Sequence, residues 1–108
     1  MTNDERALNL LGLAFKARKV VTGEENVIKL LQNQKAKIVF VASDASDRTI
    51  DNFKRKCFFY NVTVDFSFSA EKLTKALGKT LVKILAITDQ GFYESLQRLL
   101  ERGDIYES

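Results

Sequence analysis

The 108-residue chain has one cysteine, Cys57, and no histidine, which excludes an internal disulfide, an imidazole metal centre and the Ser-His-Asp and Cys-His catalytic arrangements. Its net charge of +3 is unevenly spread: residues 1–88 hold 15 Lys and Arg against 9 Asp and Glu, and residues 89–108 hold 2 against 5. With 45% hydrophobic residues, no apolar run near the ~20 residues of a membrane span, and an acidic, polar start (MTNDERALN), the expectation is a soluble cytoplasmic protein.

Along the chain the apolar period switches repeatedly between helical and strand-like spacing. Residues 4–17 set Ala7, Leu8, Leu11, Ala14 and Phe15 on one helical face, with Asn3 as the expected cap. Val20 and Val21 make a minimal strand. Thr22 and Glu25 then have capping-box spacing ahead of a helix carrying Val27, Ile28, Leu30 and Leu31, which ends at Asn33 and Gln34. Residues 37–42, KIVFVA, form a continuous apolar run and predict a central strand buried on both faces.

Ser43, Asp44 and Ser46 offer caps for a third helix reaching about Tyr60, with Ile50, Phe53, Cys57 and Phe58 turned inward. Residues 62–68 alternate apolar and polar and predict a half-buried strand. Ser69 caps a short helix through Leu73 and Leu77 that Gly78 closes. Residues 81–87 read as a second buried strand, and Asp89 leads into a last helix containing Phe92, Leu96, Leu99 and Leu100. This order predicts one α/β domain over residues 1–108, a three-layer α/β/α sandwich around a four-stranded mixed sheet, with residues 103–108 as a loose tail. Cys57 reads as a buried spacer with no base beside it.

Residues 16–31, KARKVVTGEENVIKLL, carry the functional signal. Lys16, Arg18 and Lys19 precede a glycine-led helix start, where unpaired N–H groups and the positive end of the helix dipole suit an anion, and Lys29 adds charge one turn on. The polyanion that matches is a phosphate backbone. The same residues also have purely structural roles: cations at the end of a helix satisfy its dipole, Glu25 can cap, and Glu25 with Lys29 is an i,i+4 pair.

Four pieces in order, LGLAFKARKVVTGEENVIKLL, KIVFVASDAS, LTKALGK and ILAITDQGF, resemble the L-seven-Ae and L-thirty-e ribosomal protein family, most closely its short bacterial YlxQ-type members. The resemblance implies an α/β/α sandwich that binds kink-turn RNA, a bent internal loop with tandem sheared G·A pairs. Against the family pattern Gly-x-Asn-Glu-x-x-Lys at the start of the second helix, this chain supplies Gly23, Glu25, Asn26 and Lys29, with the Asn and Glu transposed. Asn26 retains a donor and an acceptor, whereas Glu25 when ionised only accepts and cannot address guanine O6 or N7.

The family's second contact region is the loop before the last strand. Here it contains Lys75, Gly78, Lys79 and Thr80, with Thr74 where relatives often have glycine. Lys79 and Thr80 stand where some members carry apolar residues that pack on an extruded base, which points to phosphate or sugar contacts. Ser46 lies where relatives sometimes touch RNA but reads first as a plain N-cap. The charge around the helix start and the resemblance together give an expected RNA-binding set of Arg18, Lys19, Gly23, Glu25, Asn26, Lys29, Lys75, Lys79 and Thr80. The expectation is no cofactor or metal, a structured RNA partner, ribosomal or other, and a monomer.

Two other functions compete. Asp44 and Asp89, both just after buried strands, with Lys79 nearby, are the elements of a Mg²⁺-dependent receiver or phosphotransfer site. Alternatively the sandwich docks on a protein or on assembled ribosomal RNA without choosing a kink. The aromatic residues read as core: Phe53, Phe66, Phe68 and Phe92 fall on inward faces, and Phe58, Phe59 and Tyr60 close a helix beside it.

Overall fold

The structure, a computed structural model, describes residues 1–101; the tail expected at 103–108 lies outside the described residues. In chain order the elements are α1 (Asn3–Lys16), β1 (Val20–Thr22), α2 (Glu24–Gln32), β2 (Ile38–Val41), α3 (Asp47–Tyr60), β3 (Thr63–Asp65), α4 (Ala70–Leu77), β4 (Ile84–Ile87) and α5 (Gln90–Glu101). The strands form one sheet in the order β1-β4-β2-β3. β4 runs antiparallel to both of its neighbours, and β2 and β3 are parallel. The fold is the mixed α/β/α sandwich that the alternating periods predict.

The two continuous apolar runs occupy the two central strands because both of their faces are covered. Ile38, Phe40, Leu85 and Ile87 point to one side, against Ala7, Leu11 and Ala14 of α1, Leu73 and Leu77 of α4, and Leu96 of α5. Val39, Val41, Ile84 and Ala86 point to the other, against Val27 and Leu31 of α2 and Phe53 and Cys57 of α3. Burial pushes the Cys57 thiol up to about 11, which leaves it protonated and unreactive at neutral pH.

Gly12 sets the approach of α4 to α1. A Cβ there would lie 2.7 Å from the Ala76 carbonyl oxygen, so only a bare backbone lets the two helices pack this closely.

Several local expectations shift. The cap of α1 is Thr2 rather than Asn3, in a full capping box with Glu5. Thr22 and Glu25 form no such box: Thr22 belongs to β1, the cap is Gly23, and no side chain caps α2. The start of α2 thus falls one residue later than the sequence spacing suggests. β3 stops at Asp65 because the Asp65 carboxylate accepts from the Ser67 N–H (2.8 Å) and hydroxyl (3.0 Å), which turns the chain out of the sheet.

Residues 81–83 are not strand. Thr74 Oγ1 accepts from the Val82 N–H (2.8 Å) and donates to the Val82 carbonyl (3.4 Å), so these groups are withheld from the sheet and Leu81 is left 63% exposed. Phe58 and Phe59 face solvent, 89% and 77% exposed, and are not core. With Phe53 and Cys57 turned inward, the residues immediately after Cys57 are rotated about 100° and 200° away from that face by the helical repeat.

Candidate nucleic-acid interface

The antiparallel pairing of β1 with β4 assembles the surface. Thr22 at the end of β1 lies opposite Leu85 near the start of β4, so the turn into α2 and the loop into β4 arrive at the same end of the sheet. The Gly23 N–H donates to the Ile84 carbonyl (3.0 Å), which continues the ladder one step beyond the strand. Lys79, from the preceding loop, donates from Nζ to Thr22 Oγ1 (3.3 Å) and lies 5.5 Å from the centre of the Phe15 ring. A single ammonium therefore joins α1, β1 and the loop after α4. The two regions 57 residues apart in sequence meet.

At the tip of α2, Gly23 has φ 99° and ψ 144°, a conformation that essentially only glycine adopts. Its carbonyl accepts from the Val27 N–H (3.0 Å), and Asn26 Nδ2 donates back to the Thr22 carbonyl (3.2 Å). The carboxamide of Asn26 thus braces the turn. Glu24, Glu25, Asn26 and Lys29 are all exposed, and Lys29 stands one turn beyond Glu25 and Asn26 on the same side of the helix. The exposed first turn combines N–H groups that no side chain caps with two carboxylates and a lysine, a surface able to bind donors and acceptors together.

The loop after α4 is fixed from inside. Gly78, with φ 69°, closes the helix, its N–H donating to the Thr74 and Lys75 carbonyls. The Thr74 clamp on Val82 holds the far end, and Lys79, Thr80 and Leu81 are left exposed between them. Thr74 therefore builds the loop where the family often has glycine.

The remaining cations are dispersed. Arg18 adopts a left-handed conformation (φ 62°) in the turn that ends α1: its N–H donates to the Phe15 carbonyl and that of Lys19 to the Ala14 carbonyl, the paired bonds of a Schellman motif. The Lys19 carbonyl accepts from both the N–H and the hydroxyl of Thr88, at the end of β1 away from Gly23, about 13 Å along the strand. Lys75 lines a groove between α1 and α4 together with Lys16 and Lys72. The structure brings Gly23, Glu25, Asn26, Lys29, Lys79 and Thr80 to one end of the sheet; Arg18 and Lys19 leave from the opposite end of β1, and Lys75 flanks the site on its groove.

The carboxylates of the competing magnesium site are engaged elsewhere. Asp44 Oδ1 accepts from the Ala70 N–H at the start of α4 (2.9 Å), and Asp89 Oδ2 accepts from the Phe92 N–H at the start of α5 (3.0 Å). Among the described residues there is no group of three or more His, Cys, Asp or Glu arranged to hold a metal ion. Ser46 caps α3, accepting from the Thr49 N–H (3.2 Å).

Nothing in the sequence marks Thr22 as the partner of Lys79, its spacing suggesting a helix cap instead, or Leu81 as an exposed side chain, since it sits inside an apolar run. Among the described residues no helix is long and apolar enough to cross a membrane.

Residues 5–97 match the Ribosomal protein L7Ae/L30e/S12e/Gadd45 family. The chain is 43% identical over 99 residues to the RNA-binding protein YlxQ of Enterococcus faecium, covering 92% of this chain and 95% of that one. It is 44% identical over 92 residues to the RNA-binding protein YlxQ of Bacillus subtilis (strain 168), covering 85% and 92%. Among solved structures, a Bacillus halodurans protein of unknown function superposes with a TM-score of 0.85 at 36% identity, covering 88% of this chain and 96% of that one. A Giardia lamblia 15.5kD RNA binding protein shares the fold, with a TM-score of 0.77 at 18% identity, covering 94% and 88%. With a match spanning most of its length and relatives at 43% and 44% identity, the chain belongs to the Ribosomal protein L7Ae/L30e/S12e/Gadd45 family.

Proposed function

We propose that the chain is a non-catalytic RNA-binding protein that holds structured, kink-turn-like RNA, ribosomal or other, between the start of α2 and the loop before β4. It acts as a cytoplasmic monomer in a single domain and needs no cofactor. The observation that carries this reading is the contact of Lys79 Nζ with Thr22 Oγ1, 3.3 Å, beside the glycine tip of α2. The names of the relatives as RNA-binding proteins support it.

In this reading the uncapped N–H groups of α2 face an RNA oxygen, and Lys29 donates to guanine O6 and N7. Glu25 accepts from base amino groups. Lys79 and Thr80 meet phosphate or sugar, and the exposed side chain of Leu81 gives an unstacked base an apolar shelf that residues 79 and 80 do not supply. Arg18, Lys19 and Lys75 extend the positive field to flanking phosphates.

Fluorescence polarisation with a kink-turn RNA, the same RNA with its G·A pairs disrupted, and a plain duplex tests the reading. The intact kink turn is expected to bind at least tenfold tighter than either control. Equal affinity for all three would reduce the site to nonspecific charge and would favour a docking module that does not choose a kink.

A further inference from the structure

We propose that a single-stranded RNA segment flanking the folded element runs along the outer face of α3 and stacks one base on Phe59. The proposal rests on the RNA-binding reading above and extends its surface.

Arg48, Asn52, Arg55 and Phe59 are spaced i, i+4, i+7, i+11, so they form one line along the helix. Two open depressions follow that line. The first, about 610 Å³, is lined by Glu24, Ser46, Arg48, Thr49, Asn52 and Arg55. The second, about 420 Å³, is lined by Asn52, Arg55, Lys56, Phe59 and Tyr60. They share Asn52 and Arg55, and the first begins at Glu24, the residue after Gly23. One furrow therefore leads from the tip of α2 to the end of α3.

Its dimensions and chemistry suit a nucleic-acid strand. From residue 48 to residue 59 the helix rises ~16 Å, the length of about five nucleotides at the 3.4 Å spacing of one strand. Arg48, Lys54, Arg55 and Lys56 outnumber Asp47 and Asp51 on α3. Lys54 lies over the Phe66 ring, 5.7 Å from its centre, which leaves the two arginines as the cations of the furrow with Lys56 at its end. Asn52 between them offers a donor and an acceptor to base edges.

Phe59 is the second, independent feature. It is 77% exposed, and the Tyr60 ring meets it edge-on, with centroids 4.9 Å apart and planes at 89°. That contact restricts the ring while leaving it open to solvent, so a base that stacks on it loses little further freedom. A protein partner would be favoured by a broad apolar patch, yet the only other large exposed apolar side chain on α3 is Phe58, and cations precede both rings. The combination of arginine, amide, arginine and aromatic favours a strand of RNA.

The test compares three RNAs by fluorescence polarisation with the full chain: the kink-turn RNA trimmed flush, and the same RNA with seven unpaired nucleotides added at its 5′ or at its 3′ end. One extended RNA is expected to bind roughly tenfold tighter than the trimmed one, within the five- to hundredfold that a stacked base contributes. Phe59→Ala should erase that gain and leave the trimmed RNA unaffected, Phe59→Trp should preserve it, and Arg55→Ala should lower it and weaken its salt dependence. These side chains are exposed, so the variants keep the fold, which circular dichroism checks.

Failure of the wild-type protein to bind the trimmed RNA overturns the underlying reading and this one with it. Binding of the trimmed RNA with no gain from either extension overturns this inference alone. So does a gain that survives Phe59→Ala, including the case in which that variant instead loses a protein partner.

Discussion

Helices α2 and α4 both border the site, and they begin in opposite ways. α4 is held by two side chains: Ser69 Oγ accepts from the Lys72 N–H (3.2 Å) and Asp44 Oδ1 from the Ala70 N–H (2.9 Å). α2 begins on a bare glycine with no side-chain cap. The first arrangement maximises local stability and fixes the position of the loop that follows α4. The second leaves donors at a helix start facing outward, a choice that costs local stability and suits an acceptor supplied from outside. One helix is anchored so that the other can present an open end.

The sharpest way to break this contrast is Gly23→Ala. Space is not the obstacle, because the nearest atom to an added Cβ is Asn26 Nδ2 at 3.7 Å. The obstacle is the backbone at φ 99°, which costs an L-residue about 1–3 kcal/mol. The urea midpoint is expected to fall accordingly, and affinity for the kink-turn RNA with it, since relieving the strain moves the tip away from Ile84. Unchanged stability would mean that the turn relaxes freely and that Gly23 is not required by conformation.

Lys29→Ala separates function from folding at the same helix. Lys29 is exposed, so the melting temperature should hold while binding weakens by about 1–3 kcal/mol if it reads a base. A drop shared equally by the kink-turn and duplex controls would assign Lys29 to phosphate instead. Ser69→Ala is the mirror image: loss of the α4 cap should cost ~1 kcal/mol of stability with RNA affinity unchanged when measured well below the melting temperature.

Arg18→Gly asks whether a strained cation is retained for binding. Arg18 occupies the left-handed position of a Schellman turn, where glycine avoids a penalty of ~1–2 kcal/mol but loses more chain entropy on folding. A net gain of about 0.5 kcal/mol is expected from chemical denaturation, together with weaker RNA binding at low salt. A variant that is more stable and binds equally well would remove Arg18 from the interface.

The layers and the central strands were legible in the sequence because IVFV and ILAI are apolar at every position, and runs this short, set between helical periods, suit strands covered on both faces. The meeting of Gly23 with Lys79 is expected only through the family resemblance and not from the residue pattern, because it depends on β1 pairing antiparallel with β4, and three residues of strand carry no signal of orientation. The Thr22–Glu25 spacing misled for a related reason: Thr22 extends the sheet by one residue, so its hydroxyl is given to Lys79 and not to the helix. Phe58 and Phe59 follow Cys57 directly, and helical geometry alone excludes all three from one buried face. Leu81 looked like strand because its exposure is set by Thr74, seven residues earlier, whose hydroxyl occupies Val82.

Lys79→Ala carries the smallest expected change and bears most directly on how the two regions cooperate. Removing the ammonium takes away the hydrogen bond to Thr22 and the contact with the Phe15 ring, exposed interactions together worth less than about 1 kcal/mol of stability. If Lys79 also neutralises a phosphate, the dependence of log affinity on log salt becomes shallower by roughly one unit, since one fewer counterion is released. The two effects differ in their response to salt: the loss of stability, from short-range contacts with a neutral hydroxyl and a ring, changes little with salt, whereas the loss of affinity shrinks as salt rises. A slope identical to that of the wild type would leave Lys79 as a brace between Thr22 and Phe15, with no phosphate contact of its own.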